Sequence, residues 1–129
     1  MKKIIFILIT SFIICAAFNK PLVLVADYRD AFIGNYLCNS NCKGVRSPSN
    51  KNPAATTDVV TVSISKDAAD SILQITLEKN IVLAKLKNNI LQSYSGGEHL
   101  QGKFFATDSV AFVLSRLGSL CSYKGQKKQ

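Results

Sequence analysis

Between Asp58 and Gly125 the chain repeats a single device: a short run of β-branched, aliphatic or aromatic residues, then a short polar break. The runs are Val59–Ile64, Ile72–Leu77, Ile81–Leu86, Ile90–Tyr94, Leu100–Phe105, Val110–Leu114 and Leu120–Lys124. Several alternate strictly. Val60, Val62 and Ile64 fall on one face with Thr61, Ser63 and Ser65 on the other, and Leu73, Ile75 and Leu77 oppose Gln74 and Thr76. A period of two places successive side chains on opposite faces of a strand, so each run predicts a strand with one buried and one wet face.

The breaks decide how the strands connect. Lys66–Asp70, Glu78–Asn80, Lys87–Asn89 and Ser95–Glu98 supply the Asn, Asp and Gly that tolerate positive φ. Links this short join only antiparallel neighbours, because a parallel return needs a dozen residues or more. The expected fold is all-β: a single antiparallel meander of seven or eight strands, forming a small barrel or a strongly bent sheet. Residues 78–93 hold enough Leu and Lys for a helix, but Lys87-Asn88-Asn89 would interrupt its apolar stripe.

The chain begins with a different pattern. Met1-Lys2-Lys3 precedes the apolar run Ile4–Ile14, which reads as the charged and hydrophobic regions of a secretory signal over residues 1–17. Cys15-Ala16-Ala17 resembles a small-residue cleavage site, whereas Phe12–Cys15 resembles a loose lipobox in which Cys15 would carry a lipid. Both readings stand: a soluble secreted protein or an envelope lipoprotein, with membrane attachment only through Cys15. Residues 18–30 then form a linker and short helical turn, 31–126 the β-domain and 127–129 a basic tail. Loss of Lys2 and Lys3 with the leader lowers the 16 basic residues to 14 against 8 acidic ones, a net charge of +6. Apart from Lys124, Lys127 and Lys128 at the end, the lysines are scattered along the sequence, whereas a nucleic-acid binder would more usually cluster them and interleave aromatics. No nucleic-acid partner is expected.

Asp27–Tyr36 is the most distinctive local pattern. Asp27 caps a short helical turn, Phe32 and Ile33 plug an apolar end, and Gly34 ends the turn before a strand begins. A helical turn followed by Gly34-Asn35-Tyr36 resembles the opening of the calycins, the lipocalins and fatty-acid-binding proteins, which have Gly-x-Trp there. With Gly102-Lys103-Phe104, Asp108–Phe112 and Tyr123–Lys128, the chain from about residue 27 to 128 resembles a group of small exported bacterial lipocalin-like β-barrel proteins. The resemblance implies a barrel with a basic residue of the last strand over the floor aromatic, Lys124 being the nearest candidate. It also implies that the irregular stretch Lys43–Thr57 forms part of a cavity mouth; otherwise that stretch is a long hairpin loop. Were the barrel hollow, Tyr36, Val62, Leu73, Ile75, Leu83, Phe104, Phe112 and Tyr123 would line its cavity.

Of the cysteines beyond the leader, Cys38, Cys42 and Cys121 provide one bridge and one free thiol, and an oxidising compartment would form the bridge. First and last strands are neighbours in a closed meander. Cys38 with Cys121 also sets Tyr36 opposite Tyr123 and Gly34 opposite Gly125, so it is the expected pair, and Cys42 with Cys121 is the next. No catalytic residue, metal site or cofactor is expected. His99 is the sole histidine and adjoins a glycine turn, Asp67 and Asp70 read as turn formers, and no nucleophile elbow or phosphate loop occurs. The expected function is a non-enzymatic exported β-domain of the periplasm, cell envelope or exterior that binds a small apolar ligand or a protein. The alternative is an inhibitor or surface protein with a filled core, acting through the Lys43–Thr57 loop or an open sheet edge.

Overall fold

The computed structural model describes residues 25–44 and 54–129. A 3-10 turn, Tyr28–Phe32, precedes eight strands: β1 Gly34–Gly44, β2 Ala55–Lys66, β3 Ile72–Leu77, β4 Asn80–Lys87, β5 Ile90–Ser93, β6 His99–Ala106, β7 Ser109–Arg116 and β8 Ser119–Lys127. Each pairs antiparallel with the next, and β8 pairs with β1, so the meander closes into a barrel. Closure removes the open sheet edge and makes strands of residues 78–93. The leader, Cys15 and most of the expected Lys43–Thr57 loop lie outside the described residues. β1 and β2 extend to Gly44 and Ala55, and so take both ends of that stretch into the sheet.

Two-residue turns impose the register. Asn88 and Asn89 both adopt positive φ, as do Leu117 and Gly118, the backbone that suits the twist of tight hairpins. Asp67 turns the chain between β2 and β3, its carboxylate accepting from Ala69 N at 3.2 Å and Gln74 Nε2 at 2.8 Å. Alternation then assigns the interior. Tyr36 and Cys38 of β1, Val62 and Ile64 of β2, Leu73 and Ile75 of β3, Val82, Ala84 and Leu86 of β4, and Leu91 of β5 point inward and are buried. Leu100 and Phe104 of β6 and Val110, Phe112 and Leu114 of β7 complete the core, with Tyr123 of β8 packed against it. The exterior is Ser, Thr, Asn, Gln and Lys with scattered apolar residues. A membrane-spanning barrel has the opposite arrangement, apolar outside and polar within.

The disulfide corrects the expected pairing. Cys42 and Cys121 are direct cross-strand partners and form the bridge, and Cys38 is a buried free thiol. The β1–β8 register lies four residues from the expected one: Tyr36 faces Lys127 rather than Tyr123, and Cys38 faces Gly125 rather than Cys121. The cause is steric. A Cβ at Gly125 would stand 2.5 Å from Cys38 Sγ and overlap the Leu37 carbonyl and Cys38 Cα, so only glycine admits β1 this closely. The bridge closes a sequence separation of 79 residues, worth about 4 kcal/mol in the chain-entropy account. A disulfide is compatible with an oxidising compartment.

Gly125→Ala therefore destabilises the barrel by about 2 kcal/mol or more, because part of the obstruction is backbone that cannot rotate away. Urea unfolding checks this, and an unchanged midpoint would contradict the close β1–β8 packing.

Candidate functional site

An eight-stranded barrel offers three places for function: two ends and an outer wall. The floor is sealed by the 3-10 turn. Asp27 caps it, its carboxylate accepting from Arg29 N at 3.0 Å. The Arg29 guanidinium donates to the same carboxylate through Nε and Nη2, the latter at 2.7 Å, and its Nη1 faces the carbonyls of Asp67, Ala69 and Ile72 at 3.2, 2.8 and 3.0 Å. One buried arginine thus ties the turn to the β2–β3 connection, and its hydrogen bonds hold the Asp27 carboxyl down at about 2. Tyr28 adds a hydroxyl bond to Leu86 O at 3.0 Å.

Phe32 enters the barrel from this turn and meets Phe104 with ring centroids 4.4 Å apart. Beside them Tyr36, fully buried, shares its hydroxyl proton between Phe32 O at 2.9 Å and Thr107 O at 3.2 Å. Burial pushes this phenol up to about 12, helped by the charge of Asp108. The lysine over the floor is Lys127, not Lys124. Its stem lies over Gly34 and its ammonium donates to Ala31 O at 3.3 Å, whereas Lys124 points outward from β8. β8 runs to Lys127, so the basic tail begins inside the sheet.

The eight cavity candidates separate into three groups. Tyr36, Val62, Leu73, Ile75, Phe104 and Phe112 converge inside, all between 0% and 3% exposed, and fill the space they would have lined. Leu83 does not join them. β4 buries Val82, Ala84 and Leu86, so Leu83 is on the outer face, where the sequence alternation alone leaves both phases apolar. Tyr123 is at the upper edge of the core, stacked on Phe112 with centroids 4.8 Å apart.

Above Tyr123 the described part of the mouth is a depression of about 240 Å³, with Ser40, Asp58, Val60, Leu77, Glu78 and Tyr123 among its lining. This falls below the ordinary range for drug-sized ligand sites, roughly 300–1,000 Å³. Ser40 Oγ donates to Asp58 O at 3.1 Å, and an Arg116–Glu98 ion pair of 2.8 Å links β7 to the β5–β6 loop. Burial and the charge of Glu78 raise the Tyr123 phenol. Among the described residues no cluster of His, Cys, Asp or Glu has the makeup of a metal site, and His99 is exposed at the start of β6.

The outer wall carries more concave space than the mouth. One concavity of about 620 Å³ runs over β5–β8, with Ile90, Gln101, Lys103, Ala111, Val113 and Ser122 among its lining. A second, about 600 Å³, continues toward the floor past Leu37, Ser109, Gln126 and Lys128. The two share Asn39, Phe105 and Lys124 and so form one trough. Phe105 is 58% exposed, and Lys103 Nζ lies 4.6 Å from its ring centroid.

The sequence reading missed Arg29, Lys127 and this trough. Arg29 had a local signal, two residues past a capping aspartate. The trough's central pair had none, since Lys103 and Lys124 come together only through the register. Set against known proteins, the chain matches no family model and no curated relative.

Two outcomes follow. Burial pushes the Cys38 thiol up to about 11, so in the native, bridged protein Cys38 does not react with a water-soluble thiol reagent, and peptide mapping finds it labelled only after denaturation. Asp27 is lowered on folding from 3.8 to about 2 by its bonds to Arg29, so its contribution is complete above about pH 4 and is lost as pH falls through 2. Thermal midpoints of the native chain and Asp27→Asn, compared across that window, converge at the acid end.

Proposed function

We propose that this chain is a non-enzymatic exported β-domain, lipocalin-like in plan, that works as a binding module through its exterior. The observation that carries the reading is the packed interior: Tyr36, Val62, Leu73, Ile75 and Leu91 are each 0% exposed. Eight strands enclose just enough room for their own side chains, and here those side chains occupy it. The 3-10 turn seals one end, and the described part of the other end is a small polar-rimmed dish. Contact with another molecule then falls to the wall. The cross-strand disulfide and the leader-like pattern of residues 1–17 support a place outside the cytoplasm, as a soluble secreted protein or a lipoprotein anchored at Cys15.

A second reading keeps a small apolar ligand at the mouth. Tyr123, Val60 and Leu77 give the dish an apolar floor, and the β1–β2 connection joins the strands at that end. The two readings differ in what accompanies the protein. Native mass spectrometry of material purified from its own host should give a processed polypeptide with no small molecule retained. A stoichiometric apolar passenger, lost on Val60→Trp at the dish floor, would replace the exterior reading with the ligand-carrier one.

A further inference from the structure

Charge is sorted over this barrel in a way the linear sequence hides. All eight carboxylate residues lie among the described residues, and none takes an outward wall position. Asp27 caps the 3-10 turn, Asp30 lies within it, and Asp67, Asp70, Glu78, Glu98 and Asp108 fall in connections. Asp58 is at the mouth. The ionised side chains on the exterior of the strands are therefore cationic.

Along β7 this acid-free wall is also hollow. Its outward residues Ser109, Ala111, Val113 and Ser115 are small, and they lie between the longer outward side chains of β6 and β8. At the centre the register sets Lys103, Ala111 and Lys124 in one cross-strand row. Two lysines thus flank an alanine, with their Cα atoms about 10 Å apart at two strand spacings. Phe105 borders the row on the floor side, 58% exposed, and Val113 on the mouth side, 40% exposed. Lys128 borders the floor end, but its ammonium reaches across β1 to donate to Thr61 Oγ1 of β2 at 3.0 Å. Asp108, at the floor end, accepts from Ser109 Oγ at 2.9 Å.

We infer that this trough docks an extended acidic segment of a partner protein, with carboxylates against Lys103 and Lys124 and apolar side chains against Phe105 and Val113. The inference rests on the exterior reading above and gives it a partner chemistry. The four outward positions of β7 span about 20 Å, the length of six or seven extended residues. Because β7 is paired on both sides, the occupant cannot add as a strand, and recognition must come from side chains. Within the trough Phe105 is the one exposed aromatic, too few stacking platforms for a nucleic-acid strand.

The test uses the full chain, produced with its own N-terminal segment, and a fluorescent heptapeptide Leu-Ser-Glu-Ser-Glu-Ser-Leu, whose extended form carries both carboxylates and both leucines on one face. Anisotropy titration should show saturable binding that weakens as salt rises. Lys103→Glu with Lys124→Glu should weaken it about tenfold or more, since reversal sets like charges against the peptide. Lys85→Glu with Lys87→Glu, outward on β4, should leave it within about twofold. Val113→Ser should weaken binding at unchanged salt dependence, separating the apolar contribution from the ionic one. Both charge variants are exposed and are required to unfold at the midpoint of the native chain; should the Lys103/Lys124 pair shift it, the corresponding Gln variants replace them. Absence of saturable binding, indifference to Lys103 and Lys124, or tighter binding of a thymidine oligonucleotide or of phosphatidylglycerol vesicles would overturn the inference. None of these results bears on a passenger inside the barrel, so the inference can fail while the exterior reading stands.

Discussion

The approach of β1 to β8 holds this structure together, because it converts a sheet with two edges into a barrel with none. Gly125 opposite Cys38 sets how closely the strands meet. Four residues along β1, the same register brings Cys42 to Cys121, where the covalent link forms. The order of cause matters here. A Cβ at position 125 would push β1 outward where the core is fully packed, and Cys38 would lose its place. The disulfide then constrains the unfolded chain but does not choose the pairing. That choice belongs to the glycine and to the inward phase of β1, in which Tyr36, Cys38 and Ser40 are all buried.

Closure leaves the ends to be managed, and the chain treats them differently. At the floor, helical, aromatic and ionic elements act together: Phe32 fills the opening, Tyr36 satisfies two carbonyls, and Arg29 gathers three more while neutralising Asp27. A buried guanidinium is costly unless its donors find partners, and here they are the Asp27 carboxylate and the carbonyls of the β2–β3 connection, of which Ala69 O and Ile72 O also accept backbone N–H bonds. At the mouth the interior simply stops at Tyr123 and gives way to Ser40, Asp58 and Glu78. Among the described residues the floor is sealed and the interior between the ends is occupied by side chains.

The strand ladder was legible because period two is a local property: each run carries its own phase, and the turn residues state where it ends. The floor turn was legible for the same reason, with Asp27, Phe32 and Gly34 in a row. Register was not. It depends on which pairs can approach, and the contact that decides it is the missing side chain of Gly125 against Cys38. The tidy opposition of Tyr36 with Tyr123 offered no such physical discrimination. Leu83 failed for a related reason. Where both phases of a strand are apolar, as in Ile81-Val82-Leu83-Ala84, alternation cannot say which faces inward, and only pairing with β3 and β5 resolves it. Six of the eight cavity candidates do converge, but convergence in a barrel this narrow produces filling rather than a chamber.

The wall shows why scattered lysines in a sequence are weak evidence against a charged surface. Lys103 and Lys124 are twenty-one residues apart in the chain and two strand spacings apart on the barrel, with β7 between them. An antiparallel meander folds distant positions into rows, so clustering along the sequence is a helical or disordered-tail criterion, and clustering across rows is the sheet criterion. The complementary fact is the exclusion of carboxylates from the wall, which strand alternation alone does not require. Turns favour Asp for backbone reasons, which accounts for Asp67 and Asp108. Turn preference does not account for the absence of acids at every outward position of eight strands. With lysines on the wall and acids confined to the two ends, an approaching molecule meets positive charge along the sides, and the concavity on β7 fixes where an elongated anion has the most surface to cover.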